Sequence, residues 1–189
     1  MDVNPNPARF DQKKAESING DHIRMLEAGD FAARLVPYLA AAGVVDENPT
    51  PAQEAMLAAS APLVQERMQL LGDAPGLLGF LFTDVVTYQD DALASLPANA
   101  NEVLVASVGA LEVVPDTEFT AAAVQDALAG ALISPVEDGG LGLKPRVAYG
   151  PLRVALSGRR VSPPLFESME LLGKSESIRR LGALVARAQ

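Results

Sequence analysis

Cysteine is absent from the 189 residues, and histidine occurs once, at His22. The first absence excludes disulfides, thiolate zinc sites, iron–sulfur clusters and cysteine nucleophiles. The second excludes a multi-histidine metal centre and leaves any Ser–His–Asp triad one imidazole to use. Aromatic residues make up only 5 %, and strand-like alternation is slight. Neither a GxxxxGK phosphate loop nor a strand-borne GxGxxG turn is present. The apolar runs, such as Leu77 to Phe82, are far too short to span a bilayer. The stretch Met1–Lys14 is polar and rich in Pro and Asn, without the basic and apolar regions of a signal peptide. A self-contained hydrolase or metalloenzyme is disfavoured. The expectation is a cytoplasmic protein with no membrane partner and no metal site.

Hydrophobic residues account for 49 % and charged residues for 21 %, enough apolar material for a core in one domain or two small ones. The formal charge of −9 argues on average against a nucleic-acid partner. Its distribution does not. Residues 142–189 hold nine bases (Lys144, Arg146, Arg153, Arg159, Arg160, Lys174, Arg179, Arg180, Arg187) against three acids, a net +6. Residues 1–141 hold six bases and 21 acids, a net −15. Such a split suits one end that meets a polyanion on an otherwise acidic body, or simply a basic surface face.

Helix signals dominate. Asp11–Leu26 reads as a first helix, with Ile18, Met25 and Leu26 among its apolar positions, broken at Gly29-Asp30. Asp30 is placed to cap Phe31–Ala42, where Phe31, Leu35 and Leu39 recur at helical spacing and Gly43 follows. Thr50-Pro51-Ala52-Gln53 has the form of a capping box for a helix to about Leu71, kinked or split at Pro62. Another helix is expected over Asp73–Phe82, then a connector from Thr83 to Leu96. Asn99–Val113 and Ala121–Ile133 follow, the second capped by Thr120. A loop at Glu137–Gly140 leads to a short helix over Tyr149–Ser157, a turn at Gly158, a helix from Ser162-Pro163 to Leu172, and a last helix capped by Ser175. The fold expected is all-α, in two small helical bundles.

The chemistry concentrates late in the chain. Lys144, Arg146, Arg153, Arg159 and Arg160 fall within seventeen positions, among the turn formers Pro145, Gly150, Pro151 and Gly158. Arginines on helix ends and turns reach phosphates and unstacked base edges together. Ser162-Pro163-Pro164-Leu165-Phe166 sets backbone groups and apolar side chains beside them, a surface for single-stranded loop nucleotides or an ordinary helix cap above a core. Asp90-Asp91 and Glu137-Asp138 read as solvated loop carboxylates, and His22 as a partly buried, hydrogen-bonded residue.

Leu143-Lys144-Pro145-Arg146, the run Gly150-Pro151-Leu152-Arg153-Val154-Ala155-Leu156-Ser157-Gly158, and Ser162-Pro163-Pro164-Leu165-Phe166-Glu167 resemble the C-terminal anticodon-binding region of bacterial, in character actinobacterial, glutamyl-tRNA synthetases. So do Leu171-Leu172-Gly173 with Arg179-Arg180-Leu181, and upstream Phe10-Asp11-Gln12-Lys13-Lys14 with Ile18–Arg24. The resemblance implies part of a class I ligase that charges tRNA(Glu) with glutamate. ATP and magnesium are implied for the full enzyme, and no cofactor, catalytic residue or metal ligand for this chain. The HIGH-like and KMSKS-like signatures are absent, so a fragment, inactive alone, is expected. It would be a monomer whose partners are tRNA(Glu), chiefly the anticodon loop, and its own N-terminal catalytic domain.

On this resemblance Arg153 contacts anticodon bases, held by the turn of Ser162, Pro163 and Leu165. Arg67 aligns with an arginine that reads the third anticodon base in some members and separates glutamate from glutamine tRNA. Arg146, Arg159 and Lys144 complete the implied RNA-binding set. A family basic residue near Ala129 and a first-helix Trp are missing, and His22 stands where many members have Tyr. The implied division is residues 1–28 as the end of a stem-contact segment, 29–92 as a first anticodon-binding subdomain, and 93–189 as a second, basic one. The residues also allow a freestanding helical module whose basic C-terminal face binds an acidic protein.

Overall fold

The computed structural model describes residues 11–187; Phe10, the start of the upstream motif, lies outside them. Among the described residues there are eleven α-helices, four short 3-10 turns and no strand. The all-α class read from the sequence is the one observed.

Buried side chains form two clusters. Helices α1 (Gln12–Arg24), α2 (Ala28–Ala41), α3 (Pro51–Ser60), α4 (Pro62–Gln65) and α5 (Ala74–Leu78) supply the first, around Phe31, Leu35, Leu39, Leu57, Val64, Met68 and Leu78. The second joins α6 (Asp90–Ala94), α7 (Ala100–Glu112), α8 (Ala121–Leu132), α9 (Pro145–Ser157), α10 (Leu165–Leu172) and α11 (Lys174–Arg187) around Leu104, Leu111, Leu128, Leu152, Leu156 and Leu181. Helix α11 lies against α7 and α9, and α10 against α8. The two clusters change over between Phe82 and Tyr88, so Ala92 packs with the second. Leu172 packs against both, and α10 reaches α3 across the junction.

Several local signals act as their chemistry requires. Phe31, Leu35 and Leu39 point one way from α2 and are fully buried. Thr50 and Gln53 form the reciprocal capping box, and the Thr120 hydroxyl accepts from the Ala123 N–H. Gly43 adopts a positive φ of 68° after α2.

Other expectations are corrected. Asp30 does not cap α2. Extended Glu27 precedes the helix, Gly29 lies inside it, and Asp30 sits in the first turn, paired with Arg34, where a carboxylate meets the positive end of the dipole. The helix from Pro51 stops at Gln65 rather than Leu71. Pro62 lacks the N–H that would continue the ladder, and beyond Gln65 the chain turns Met68 inward and Leu70 outward. Asp73–Phe82 is a 3-10 turn, one turn of α-helix and another 3-10 turn, tightened so that Ala74, Leu78, Phe80 and Leu81 all bury. Helix α1 rests on Gly20 and Ile23 and leaves Ile18 and Met25 exposed. Ser175 lies within α11, which begins directly after Gly173.

The junction is held by polar contacts. Arg180 is 1 % exposed. Its Nη1 donates to the carbonyls of Phe80 (2.9 Å) and Leu156 (2.8 Å), Nη2 to that of Thr83, and Nε to Glu176. One guanidinium thus ties the end of the first cluster to the end of α9. Beside it, the Gln89 N–H donates to the Gly158 carbonyl at 2.9 Å. Gly158 has φ 70°, and a Cβ there would lie 2.0 Å from the Thr87 carbonyl oxygen.

Gly158→Ala should therefore cost at least about 2 kcal/mol, from left-handed backbone strain and displacement of Thr87, read as a lowered urea midpoint. Glu176 provides a second test. Its carboxyl is held below the usual carboxylate range, first by the hydrogen bond from Arg179 and also by Arg180, against the opposing effect of burial. The stabilisation it contributes is complete above its unfolded pKa of about 4.3 and is lost as pH falls through the lower folded value. Glu176→Gln should destabilise by about 3 kcal/mol at neutral pH, because it strands a buried cation. Denaturation near neutral pH should show this loss, and denaturation in acid a smaller difference from the parent.

Candidate nucleic-acid interface

Helix α9 carries the centre of the basic surface. Extended Lys144 leads into Pro145 at the first helical position, and Gly158 closes the helix in a left-handed conformation. The short helix expected from Tyr149 is in fact thirteen residues long, and Gly150 and Pro151 do not interrupt it. Gly150 has no Cβ to collide with the proline ring, which removes part of the usual restriction before proline. Because the helix is continuous, Arg146, Tyr149, Gly150 and Arg153 fall on one stripe. The opposite face, with Ala148, Leu152, Ala155 and Leu156, is buried in the second core.

Ser162 is not the cap of α10; Pro164 precedes that helix, and no side chain caps it. Ser162 is instead 6 % exposed and serves Arg153. Arg153 Nη1 donates to Ser162 Oγ and to the Pro163 carbonyl, each at 3.0 Å, while the serine hydroxyl donates to that same carbonyl at 3.1 Å. Arg67, just beyond α4, reaches across the junction and donates through Nη1 to the Ser162 carbonyl at 3.5 Å. Two guanidinium groups, 86 positions apart in the chain, thus meet on one turn.

Their electrostatics follow from this geometry. Burial pushes the Arg153 pKa down, the neighbouring Arg67 adds to that, and Glu167 opposes it. Arg153 remains a cation at neutral pH, as arginine does in proteins. Among the described residues neither Arg67 nor Arg153 forms an ion pair, and neither do Lys144, Arg146, Arg159 or Arg160. An arriving anion would relieve the repulsion between Arg67 and Arg153.

Two grooves flank this turn. One, of about 460 Å³, is lined by Arg146, Tyr149, Gly150, Arg153 and Arg160, with Ser95 and Pro145. Tyr149 is braced edge-on against Phe166, ring centres 5.1 Å apart. The other, of about 590 Å³, is lined by Arg67, Arg159 and Arg160 with Asp73, Gln89 and Asp91. Of the residues singled out from the sequence, Arg153, Arg67, Arg146 and Arg159 converge here. Lys144 is exposed at the start of α9 and lines neither groove. Pro163 is buried, and Leu165, 3 % exposed, belongs to the core beneath the turn. Arg160, counted with the basic cluster but left out of the RNA-binding set that the resemblance implies, lines both grooves. Tyr149 was not singled out, and shows itself only once α9 is known to be continuous.

The basic third also supplies structural charge. Arg180 is consumed at the junction, Arg179 binds Glu176 and the Asp84 carbonyl, and Lys174 binds Asp116 and the carbonyls of Glu112 and Val114. His22 is exposed on α1 and makes no side-chain hydrogen bond among the described residues, contrary to the partly buried role expected of it. The described residues include no helix long and apolar enough to cross a membrane and no cluster of three His, Asp or Glu that could hold a metal.

A half-buried Arg153 and an exposed Arg67 meet on one turn of a helical scaffold, beside grooves with cationic and aromatic walls, an arrangement that suits an extended anionic ligand with flat groups. The comparisons agree. Residues 30–185 match the family described as the anticodon binding domain, and the chain belongs to that family. It is 65 % identical over 187 residues to a glutamate–tRNA ligase of Leifsonia xyli subsp. xyli, covering 98 % of this chain and 37 % of that protein. It is 59 % identical over 184 residues to a glutamate–tRNA ligase of Paenarthrobacter aurescens, covering 96 % of this chain and 35 % of that protein. The fold matches a solved glutamate–tRNA ligase of Elizabethkingia meningosepticum with a TM-score of 0.72 at 17 % identity, over 95 % of this chain and 33 % of that one. The chain thus spans little more than a third of the length of these curated relatives.

The Ser162 hydroxyl accounts for one of the two hydrogen bonds that hold Arg153 Nη1. Ser162→Ala should cost about 1 kcal/mol of stability, while Ser162→Thr retains the hydroxyl. Thermal melts of the two variants, read against the parent, check this.

Proposed function

We propose that this chain is the anticodon-reading part of a glutamate–tRNA ligase. It would bind the anticodon loop of tRNA(Glu) in the cytoplasm while a catalytic domain attaches glutamate with ATP. The observation that carries this reading is the meeting of Arg67 and Arg153 on the Ser162–Pro163 turn. That turn fixes the orientation of two charged donors, one of them, Arg153, half shielded from water, where hydrogen bonds to base edges discriminate best. The charge around it attracts the phosphate backbone, and the grooves give unstacked bases a place to lie.

The described residues do not offer a metal-ligand cluster, and the sequence has no phosphate loop. On this reading ATP and magnesium belong to the catalytic domain. Arg153 is the base-contacting residue, with Ser162 and Pro163 holding it and Leu165 anchoring the turn. Arg67 is the second reader, able to separate glutamate from glutamine tRNA, and Arg146, Arg159 and Lys144 add backbone attraction. Both guanidinium groups come from one chain, so the site does not call for a second copy, and the state we propose is a monomer.

The test is binding to an anticodon stem-loop of tRNA(Glu) against the same stem with a scrambled loop, at two salt concentrations. The cognate loop should bind more tightly, and binding to both should weaken as salt rises. Arg153→Ala should reduce cognate binding about tenfold or more, since a charged hydrogen-bonding side chain is removed, and Arg67→Ala should narrow the preference. Equal binding to both loops would reduce the site to a basic patch. Binding to an acidic protein without RNA preference would replace this function with the interaction-module reading.

A further inference from the structure

Among the described residues, Arg160 is the one that lines both grooves. It is exposed, and among the described residues its side chain makes no ion pair or hydrogen bond. The grooves on its two sides are chemically unlike. The first has cationic and aromatic walls: Arg146, Arg153 and Tyr149, with no carboxylate. The second is lined by the carboxylates Asp73 and Asp91 as well as by Arg67 and Arg159.

These contrasts restrict what can lie where. Asp73 and Asp91 offset much of the positive charge of the second groove, making it less attractive to a phosphate than the first, and they accept hydrogen bonds from an exocyclic base amine. In the first groove, Arg153 is tied to Ser162 and Pro163 and presents a fixed edge beside the braced ring of Tyr149. That arrangement suits a flat base better than a mobile phosphate. The crest between the grooves carries the free guanidinium of Arg160, whose fork matches two phosphate oxygens. We propose that Arg160 grips the phosphodiester joining two nucleotides of the bound loop, whose bases part to either side of it, one into each groove. This inference rests on the loop-binding reading above. It adds a positioning residue that fixes where the strand divides.

The test pairs Arg160→Ala with stem-loops that carry a neutral methylphosphonate, placed in turn at each loop phosphate. Arg160 makes no internal polar contact among the described residues, so the variant should melt like the parent. On unmodified RNA, Arg160→Ala should bind about tenfold more weakly, as expected for one charge-assisted contact. The loss should be the same for cognate and base-substituted loops, with the salt slope reduced by about one. At one methylphosphonate position the parent should lose the same factor and the variant nothing further. At every other position the two losses should multiply. A variant that binds like the parent, or one whose loss persists at every methylphosphonate position, would overturn the inference while leaving loop recognition standing. If the parent itself shows no loop preference, the anticodon reading falls and takes this inference with it.

Discussion

The arrangement depends on a buried arginine. Arg180 gathers the carbonyls of Phe80, Thr83 and Leu156 under one guanidinium and is balanced by Glu176. Burying a cation is costly unless its donors find acceptors and a counter-charge stands nearby; here all three guanidinium nitrogens donate, in four hydrogen bonds, and Glu176 supplies the charge. Leu156 belongs to the last turn of α9, and Phe80 and Thr83 to the end of the first cluster. Arg180 therefore sets the angle at which α9 meets that cluster. The same angle decides whether Arg67, from the first cluster, can reach the Ser162 carbonyl beside Arg153. Apolar packing at the junction is non-directional. The arginine supplies the direction.

Charge is used in two distinct ways within the basic third. Lys174, Arg179 and Arg180 are spent on carbonyls and carboxylates that hold α11 in place. Arg146, Arg153, Arg159 and Arg160 form no ion pair among the described residues, and Arg67 from the acidic part joins them. The working surface is smaller and more focused than the sequence charge suggests. On the proposed function, the acidic remainder would limit indiscriminate attraction for polyanions and leave selectivity to geometry rather than to net charge.

What was legible in the sequence was what nearest neighbours decide. The Thr50–Gln53 capping box, the Thr120 cap, the stripe of Phe31, Leu35 and Leu39, and the stop at Gly43 all form as read. Readings failed where a local preference met a stronger distant demand. Ser162 has the right chemistry for a helix cap, but its hydroxyl is claimed by Arg153 nine residues earlier. Gly150-Pro151 has turn chemistry, but the buried face from Ala148 to Leu156 holds the helix through it. Asp73–Phe82 has helical composition, yet the first core needs its apolar side chains more closely gathered than one regular helix allows.

The sequence by itself determined the all-α class, the absence of thiol and multi-histidine chemistry, the concentration of positive charge late in the chain, and the family motifs around Arg153. These follow from composition, short-range periodicity and contiguous residues. Only the tertiary structure decided which arginines face solvent and which are consumed, that Arg67 joins Arg153 across the junction, and that Arg160 stands between two unlike grooves. A guanidinium has the same composition whether it is buried beneath carbonyls or free beside a groove. Its role is set by acceptors that lie tens of residues away and come within hydrogen-bonding distance only when the two cores pack together.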